Sequence, residues 1–127
     1  MTANNIQTDK MILVYGLTGM QMLTLSSMAE KLGITCRAVS DTQTTLTVSQ
    51  LLSNETLPQM PARPLVGKFA LLHGFDGQEQ IAAALINQVA SGVIKAIHTK
   101  HNHNWPFAEL CIEIHSEHQT MKNGGKA

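Results

Sequence analysis

The stretch MILVYGLTGMQ at residues 11–21 is matched without a gap by FALLHGFDGQE at residues 69–79. Each consists of an apolar run of strand length and a following Gly-x-x-Gly, which begins at Gly16 in the first and at Gly74 in the second. A strand that is apolar on both faces is typical of the centre of a sheet. The two stretches therefore predict two central strands, each ending in a glycine turn.

A helix is predicted after each of these turns. Thr18 and Gln21 in the first stretch, and Asp76 and Glu79 in the second, have the spacing of a capping box. In a capping box, a side-chain oxygen accepts a free amide at the helix start, and an acid or amide three residues later accepts another. We expect both helices to begin in this way.

The order of features continues to agree beyond the helices. GITCRAV is followed by LTVSQLL in the first half, and GVIKAI is followed by WPFAELC in the second half. These segments predict a second strand and a second helix in each half. The sequence thus indicates a duplicated β-α-β-α unit, with pseudo-repeats at residues 11–52 and 69–118.

Alternating strands and helices predict an α/β fold with a mostly parallel, four-stranded sheet. We expect the strand order 2-1-3-4, with helices on both faces and the turns at Gly16 and Gly74 at the same end of the sheet. The alternative is a ferredoxin-like α+β fold, whose helices lie mainly on one face.

One domain is expected for residues 1–127, because this length supports a single core. The proline-rich segment 54–67 is expected to connect the halves, and the ends at 1–8 and 122–127 are expected to be frayed. Hydrophobic residues make up 43% of the chain, which is too many for a disordered protein.

The charge and the cysteines limit the partners and the cellular location. Nine basic and nine acidic residues give a formal net charge of zero, which argues against general nucleic-acid binding. The sequence shows neither an apolar run of membrane-helix length nor a secretory signal, so we expect a cytoplasmic protein that does not enter membranes. Cys36 and Cys111 lack CxxC spacing, and we expect both to be reduced core thiols.

The stretch HTKHNHNWPFAEL at residues 98–110 concentrates polar side chains before a predicted helix. His98, His101 and His103 could supply three imidazoles to a zinc or nickel ion. Their spacing matches no standard metal pattern, and the alternative is a polar loop whose histidines are solvated or cap a helix. We expect Trp105, the only tryptophan, to close over the core.

A ligand, if one binds, is expected at the carboxyl end of the strands, where open α/β sheets bind theirs. The sequence offers no catalytic constellation, because Cys111 lies on an apolar helical face and Gly-x-Ser-x-Gly is absent. The candidate ligand-binding residues lie in the glycine turns and in the histidine-rich loop: Gly16, Gly74, His98, Thr99, Asn102, Asn104 and Trp105.

The segment KAIHTKHNHNWPFAELCIEIHSEH at residues 95–118 resembles a bacterial family known only as domain of unknown function 3783. The family pattern is a strand ending in Lys-Ala-x-x-Thr, a short Asn-rich turn, a Trp, and a helix ending in Glu-His. The preceding LLHGFDGQE also fits, so the resemblance covers residues 69–118. It implies no activity, cofactor or ligand.

The sequence therefore indicates a small bacterial cytoplasmic α/β protein that binds an unknown small molecule or a protein partner. The alternative is a metal-dependent enzyme or metal-binding module that uses His98, His101 and His103.

Overall fold

The computed structural model describes residues 10–53 and 56–124, with side chains as far as residue 118. Strands and helices alternate along this part of the chain: β1 (Lys10–Tyr15), α1 (Gly19–Glu30), β2 (Ile34–Ala38), α2 (Val48–Leu52), β3 (Lys68–His73), α3 (Glu79–Val89), β4 (Val93–Ile97) and α4 (Phe107–Gly124).

The strands form one open sheet in the order β2-β1-β3-β4, which confirms the predicted order. β1 runs parallel to β2, and β3 runs parallel to β4. The central strands β1 and β3 are antiparallel, and Leu13 lies opposite Leu71. The sheet is therefore mixed, with one antiparallel pair at its centre.

The antiparallel centre contradicts one expectation. Tyr15 at the end of β1 lies opposite Phe69 at the start of β3, and Met11 lies opposite His73. The turns at Gly16 and Gly74 are consequently at opposite ends of the sheet, and the prediction of a common end is wrong. The apolar pattern of a buried strand is the same in either direction, so it carries no information on orientation.

Helices cover both faces of the sheet, as predicted. On one face, Ile12 belongs to a buried cluster that includes Leu25 of α1 and Ile86 of α3. On the other face, Leu13 belongs to a second cluster, which includes residues of α2 and Phe107 of α4. This two-sided packing excludes the ferredoxin-like alternative, in which the helices lie mainly on one face.

The first of the two predicted capping boxes is confirmed. The Thr18 hydroxyl accepts from the Gln21 amide at 3.1 Å, and the Gln21 side chain accepts from the Thr18 amide at 3.0 Å. The second prediction is wrong, because α3 begins at Glu79 after Gln78, which makes no side-chain cap. Asp76 has a φ of 49°, so the chain is still turning where the box would begin.

The two halves also meet where α2 and α4 begin. Thr47 and Pro106 form an isolated antiparallel bridge. The Val48 amide donates to the Trp105 carbonyl at 2.9 Å, and the Phe107 amide donates to the Leu46 carbonyl at 2.8 Å. These bonds fix the starts of both helices beneath the same face of the sheet.

The predicted frayed ends fall mostly outside the described residues. Residues 1–8 and 125–127 lie outside them, whereas residues 122–124 belong to α4. Within the described part, none of the helices combines the length and the apolar character that crossing a membrane requires.

Candidate functional site

Three histidines form a hydrogen-bonded row at the end of β3 and β4. His73 ends β3, and His98 follows the parallel strand β4, where its amide donates to the Leu72 carbonyl at 2.9 Å. The Nδ1 atoms of His73 and His98 are 2.9 Å apart, and His98 Nε2 is 2.8 Å from His103 Nδ1. We call His73, His98 and His103 the histidine row.

The predicted metal triad does not assemble. His98 and His103 are in contact, but the His101 ring lies against Trp105, with 5.3 Å between the ring centroids. Within the described residues, no group of three or more His, Cys, Asp or Glu side chains is arranged to hold a metal ion. Each ring nitrogen of His98 lies within hydrogen-bonding distance of another imidazole, so both nitrogens are already engaged in hydrogen bonds.

The environment of His98 favours its neutral form. Burial lowers the pKa of His98 below its ordinary value of 6.5, and the nearby His73 and His103 lower it further. A neutral imidazole has one N–H donor and one acceptor nitrogen. His98 can therefore accept from one neighbour while it donates to the other. At neutral pH the two hydrogen bonds of the row then point the same way along it.

The loop after β4 is held by Asn102, which is 8% exposed. Its side-chain oxygen accepts from the Thr99 amide at 2.9 Å, and its side-chain nitrogen donates to the Ile97 carbonyl at 3.1 Å. The Asn102 amide in turn donates to the Thr99 hydroxyl at 3.2 Å. Thr99 and Asn102 thus have a structural role in closing the loop, whereas Asn104 is exposed.

Trp105 is half-buried against the cluster beneath α2 and α4. Part of the residue lines a shallow surface depression, together with Pro106, Glu109 and Glu113 of the α4 region. The expectation that Trp105 packs on the core is met for one side of the residue, and its other side is accessible.

The two predicted glycines do not share a site. Gly16 lies beside Gly67, and a Cβ atom at position 16 would be 2.7 Å from the Gly67 carbonyl oxygen. This close approach and its φ of 95° give Gly16 a structural reason to be glycine. Gly74 follows His73 at the opposite end, next to the histidine row.

A cavity that sequence reasoning missed lies between the connector and α4. It has a volume of about 400 Å³ and is mostly apolar, with lining residues Arg63, Pro64, Leu65, Val66, Phe69, Cys111, Ile112, His115 and Ser116. We call it the connector cavity. Val66 and Ile112 are 81% and 48% exposed, so apolar side chains continue from its interior to the protein surface.

Hydrogen bonds to the first half of the chain hold the connector wall of this cavity in place. The Arg63 amide donates to the Asp41 carbonyl at 2.8 Å, and the Arg63 carbonyl accepts from the fully buried Thr44 hydroxyl at 2.7 Å. The Leu65 amide donates to the Tyr15 hydroxyl at 2.8 Å, which itself donates to Asp41. Burial and the bond to Asp41 raise the pKa of Tyr15, so the hydroxyl remains a donor.

The cysteine in the cavity lining is not suited to nucleophilic chemistry. Cys111, on the α4 side, is 1% exposed, and burial raises its pKa far above the ordinary thiol value. Because the thiolate is the nucleophilic form, the thiol acts as an apolar lining group. Arg63 supplies a positive charge at the edge and forms an ion pair with Glu109 at 3.4 Å.

The sequence contains only indirect signals for these missed residues. His73 ends a strand predicted to neighbour the one before His98, so its proximity follows once those strands are paired. The cavity depends on residues 63–66, which have no periodic pattern, and on their packing against α4. Such packing between a loop and a distant helix leaves no local pattern in the sequence.

Comparison with known proteins gives one family match. Residues 68–121 match the model of a family described as a domain of unknown function (DUF3783), which confirms the resemblance of the second half. No curated protein and no solved structure matches the chain. The matched segment contains the histidine row and the α4 side of the connector cavity, whereas residues 63–66 precede it. The second half of the chain, from β3 into α4, is therefore similar to this family of unknown function.

Proposed function

We propose that this protein is a small binding module that takes a largely apolar molecule into the connector cavity. The observation that carries the proposal is the cavity itself, at about 400 Å³ with mostly apolar walls. Small-molecule sites have volumes of about 300–1,000 Å³ and combine apolar lining with a few polar groups. Arg63, His115 and Ser116 are the polar residues of the lining.

The fixed connector wall also supports binding. The hydrogen bonds of Thr44, Asp41 and Tyr15 order residues 63–65 before any ligand arrives. Ordering a loop during binding costs free energy that a preformed wall avoids. The exposed apolar rim at Val66 and Ile112 gives an apolar molecule a continuous path into the cavity.

A variant that fills the cavity tests the proposal. Ser116 is an exposed lining residue, and Ser116→Phe places a bulky ring in the cavity. Its neighbour Glu117 is exposed and does not line the cavity, so Glu117→Phe is the matched control. The wild type and the control are expected to bind small apolar molecules in a calorimetric screen. The Ser116→Phe protein is expected to bind them at least about tenfold more weakly, and equal binding by all three proteins would refute the cavity as the site.

A second hypothesis is that a ligand binds at the histidine-rich loop, where most of the predicted ligand residues lie. It is favoured by the contacts of His98 with His103 and of His101 with Trp105, which gather polar and aromatic groups at one place. Trp105 is the only tryptophan and does not line the connector cavity. A ligand that quenches or shifts its fluorescence, and that still binds Ser116→Phe, would favour the loop over the cavity.

We also propose that residues 11–52 and 69–118 arose by duplication within a single domain. Both halves have the order β-α-β-α. Their second strands are followed by matching loops: the Ser40 amide donates to the Gln43 side chain at 3.1 Å, and the Thr99 amide donates to that of Asn102 at 2.9 Å. Similar losses of stability in Gln43→Ala and Asn102→Ala would support this equivalence. A bacterial, cytoplasmic setting stays a prediction from the sequence.

A further inference from the structure

The charges around the connector cavity indicate which chemical class of ligand it binds, and this inference rests on the proposed function. We infer that the ligand is an amphipathic anion, with an apolar body inside the cavity and a carboxylate-like group bound by Arg63. The described lining includes Arg63 and contains no Asp or Glu. The Cys111 thiol is protonated, because burial raises its pKa, and it adds no negative charge.

Arg63 is anchored in a way that suits recognition. Both polar atoms of its backbone peptide groups are hydrogen-bonded, the amide to Asp41 and the carbonyl to Thr44. The guanidinium therefore projects from a fixed point at the cavity edge. An arginine side chain has five N–H donors in a planar fork that matches the two oxygens of a carboxylate.

The existing partner of Arg63 can be displaced by a ligand. Its Nη1 atom contacts one Glu109 oxygen at 3.4 Å, and the two side chains are 44% and 55% exposed. Exposed pairs of this kind contribute little, because water screens them and ordering two long side chains costs entropy. Glu109 thus holds the guanidinium near the cavity in the free protein and competes only weakly with an entering carboxylate.

Three probes that share a ten-carbon chain and differ in head group test the charge preference by calorimetry: decanoate, decanol and decyltrimethylammonium. Decanoate and the ammonium probe are used below their micelle-forming concentrations, and decanol below its limit of solubility. The wild type is expected to bind decanoate at least about tenfold more tightly than decanol, as a charge-assisted hydrogen bond allows. The cationic probe is expected to bind most weakly. Rising salt is expected to weaken decanoate binding and to leave decanol binding nearly unchanged.

Two variants assign the preference to Arg63. Arg63→Gln is expected to bind decanoate and decanol about equally, while Lys100→Gln, which removes an exposed charge outside the lining, keeps the wild-type preference. Glu109→Gln removes the competitor and is expected to tighten decanoate binding by about two- to fivefold. Thermal melts verify that each variant is folded.

The outcomes separate this inference from the proposed function. Equal binding of decanoate and decanol by the wild type, or preference for the cation, would overturn the anionic ligand class while leaving the cavity as a binding site. If Arg63→Gln still preferred decanoate over decanol, Arg63 would not be the residue that binds the carboxylate. If none of the probes binds the wild type, the cavity proposal itself fails.

Discussion

The Nδ1 atoms of His73 and His98 face each other at 2.9 Å, so one ring must donate and the other must accept. His98 makes a second such contact through Nε2 with His103. One proton on His98 can serve only one of these bonds in the neutral state, so the tautomers of all three rings are coupled. If two neighbouring rings each took up a second proton, two N–H groups would face each other and the two positive charges would repel.

Acid is therefore expected to destabilise the protein through His98. Its folded-state pKa lies below 6.5, first because of burial and then because of His73 and His103. As the pH falls, the unfolded chain takes up this proton first, which favours unfolding. The stability contributed by neutral His98 is complete above pH 6.5 and is lost as the pH falls through 6.5 towards the lower folded pKa.

Urea unfolding between pH 6.5 and about 5 measures this loss, because the unfolded chain takes up the His98 proton near pH 6.5 and the folded protein takes it up only at lower pH. His98→Gln is expected to flatten the dependence of the unfolding free energy on pH. His118→Gln is the control, because His118 is exposed on α4. A His98→Gln protein with the same pH dependence as the wild type would show that His98 is not the responsible group.

Asn102→Ala is expected to lower the free energy of unfolding by about 2 kcal/mol. The variant loses two side-chain hydrogen bonds, one from the Thr99 amide and one to the Ile97 carbonyl. Each such bond contributes about 1 kcal/mol when its removal leaves a partner without a substitute. Asn104→Ala is the matched control in the same loop, and its exposed side chain predicts a change within about 0.5 kcal/mol. Equal effects in the two variants would contradict the structural role of Asn102.

The fold was largely predictable because its signals are local. Apolar runs before Gly16 and Gly74 identify the central strands, and alternation of strands and helices predicts helices on both faces. The direction of β3 relative to β1 was not predictable in this way. A pair such as Leu13 and Leu71 is buried equally well in a parallel or an antiparallel ladder, so the burial pattern does not reveal which one forms.

The candidate sites were less predictable because they join distant segments. His98 and His103 are five residues apart, and their proximity could be anticipated from the loop. The contribution of His73 requires the pairing of β3 with β4. The connector cavity requires Arg63 and its neighbours to pack against α4, which no periodicity in the sequence encodes.

Gly16→Ala is expected to destabilise the protein by about 2–4 kcal/mol. The added Cβ would lie 2.7 Å from the Gly67 carbonyl oxygen, and the φ of 95° is unfavourable for alanine. Gly19→Ala is the control, because nothing lies within 4 Å of its Cβ position. Position 19 is the first residue of α1, and a helix favours alanine over glycine. The free energy of unfolding of the Gly19→Ala variant should therefore rise by about 0.5 kcal/mol. Thermal or urea unfolding of both variants measures the contrast, and a Gly16→Ala protein of wild-type stability would contradict the close approach of Gly16 to the Gly67 carbonyl.

Both cysteines are expected to react slowly with thiol reagents while the protein is folded. Burial raises the pKa of Cys36 to about 11, so only about one molecule in ten thousand carries its thiolate at neutral pH. Cys111 is more deeply buried, and its pKa is raised further. An aromatic disulfide reagent should therefore label Cys36 slowly and Cys111 more slowly still, with rapid labelling of both in urea. Cys36→Ser isolates Cys111, which also borders the connector cavity. Fast labelling of Cys111 in the folded Cys36→Ser protein would mean that this wall opens to solvent, and protection by decanoate would then locate the ligand beside it.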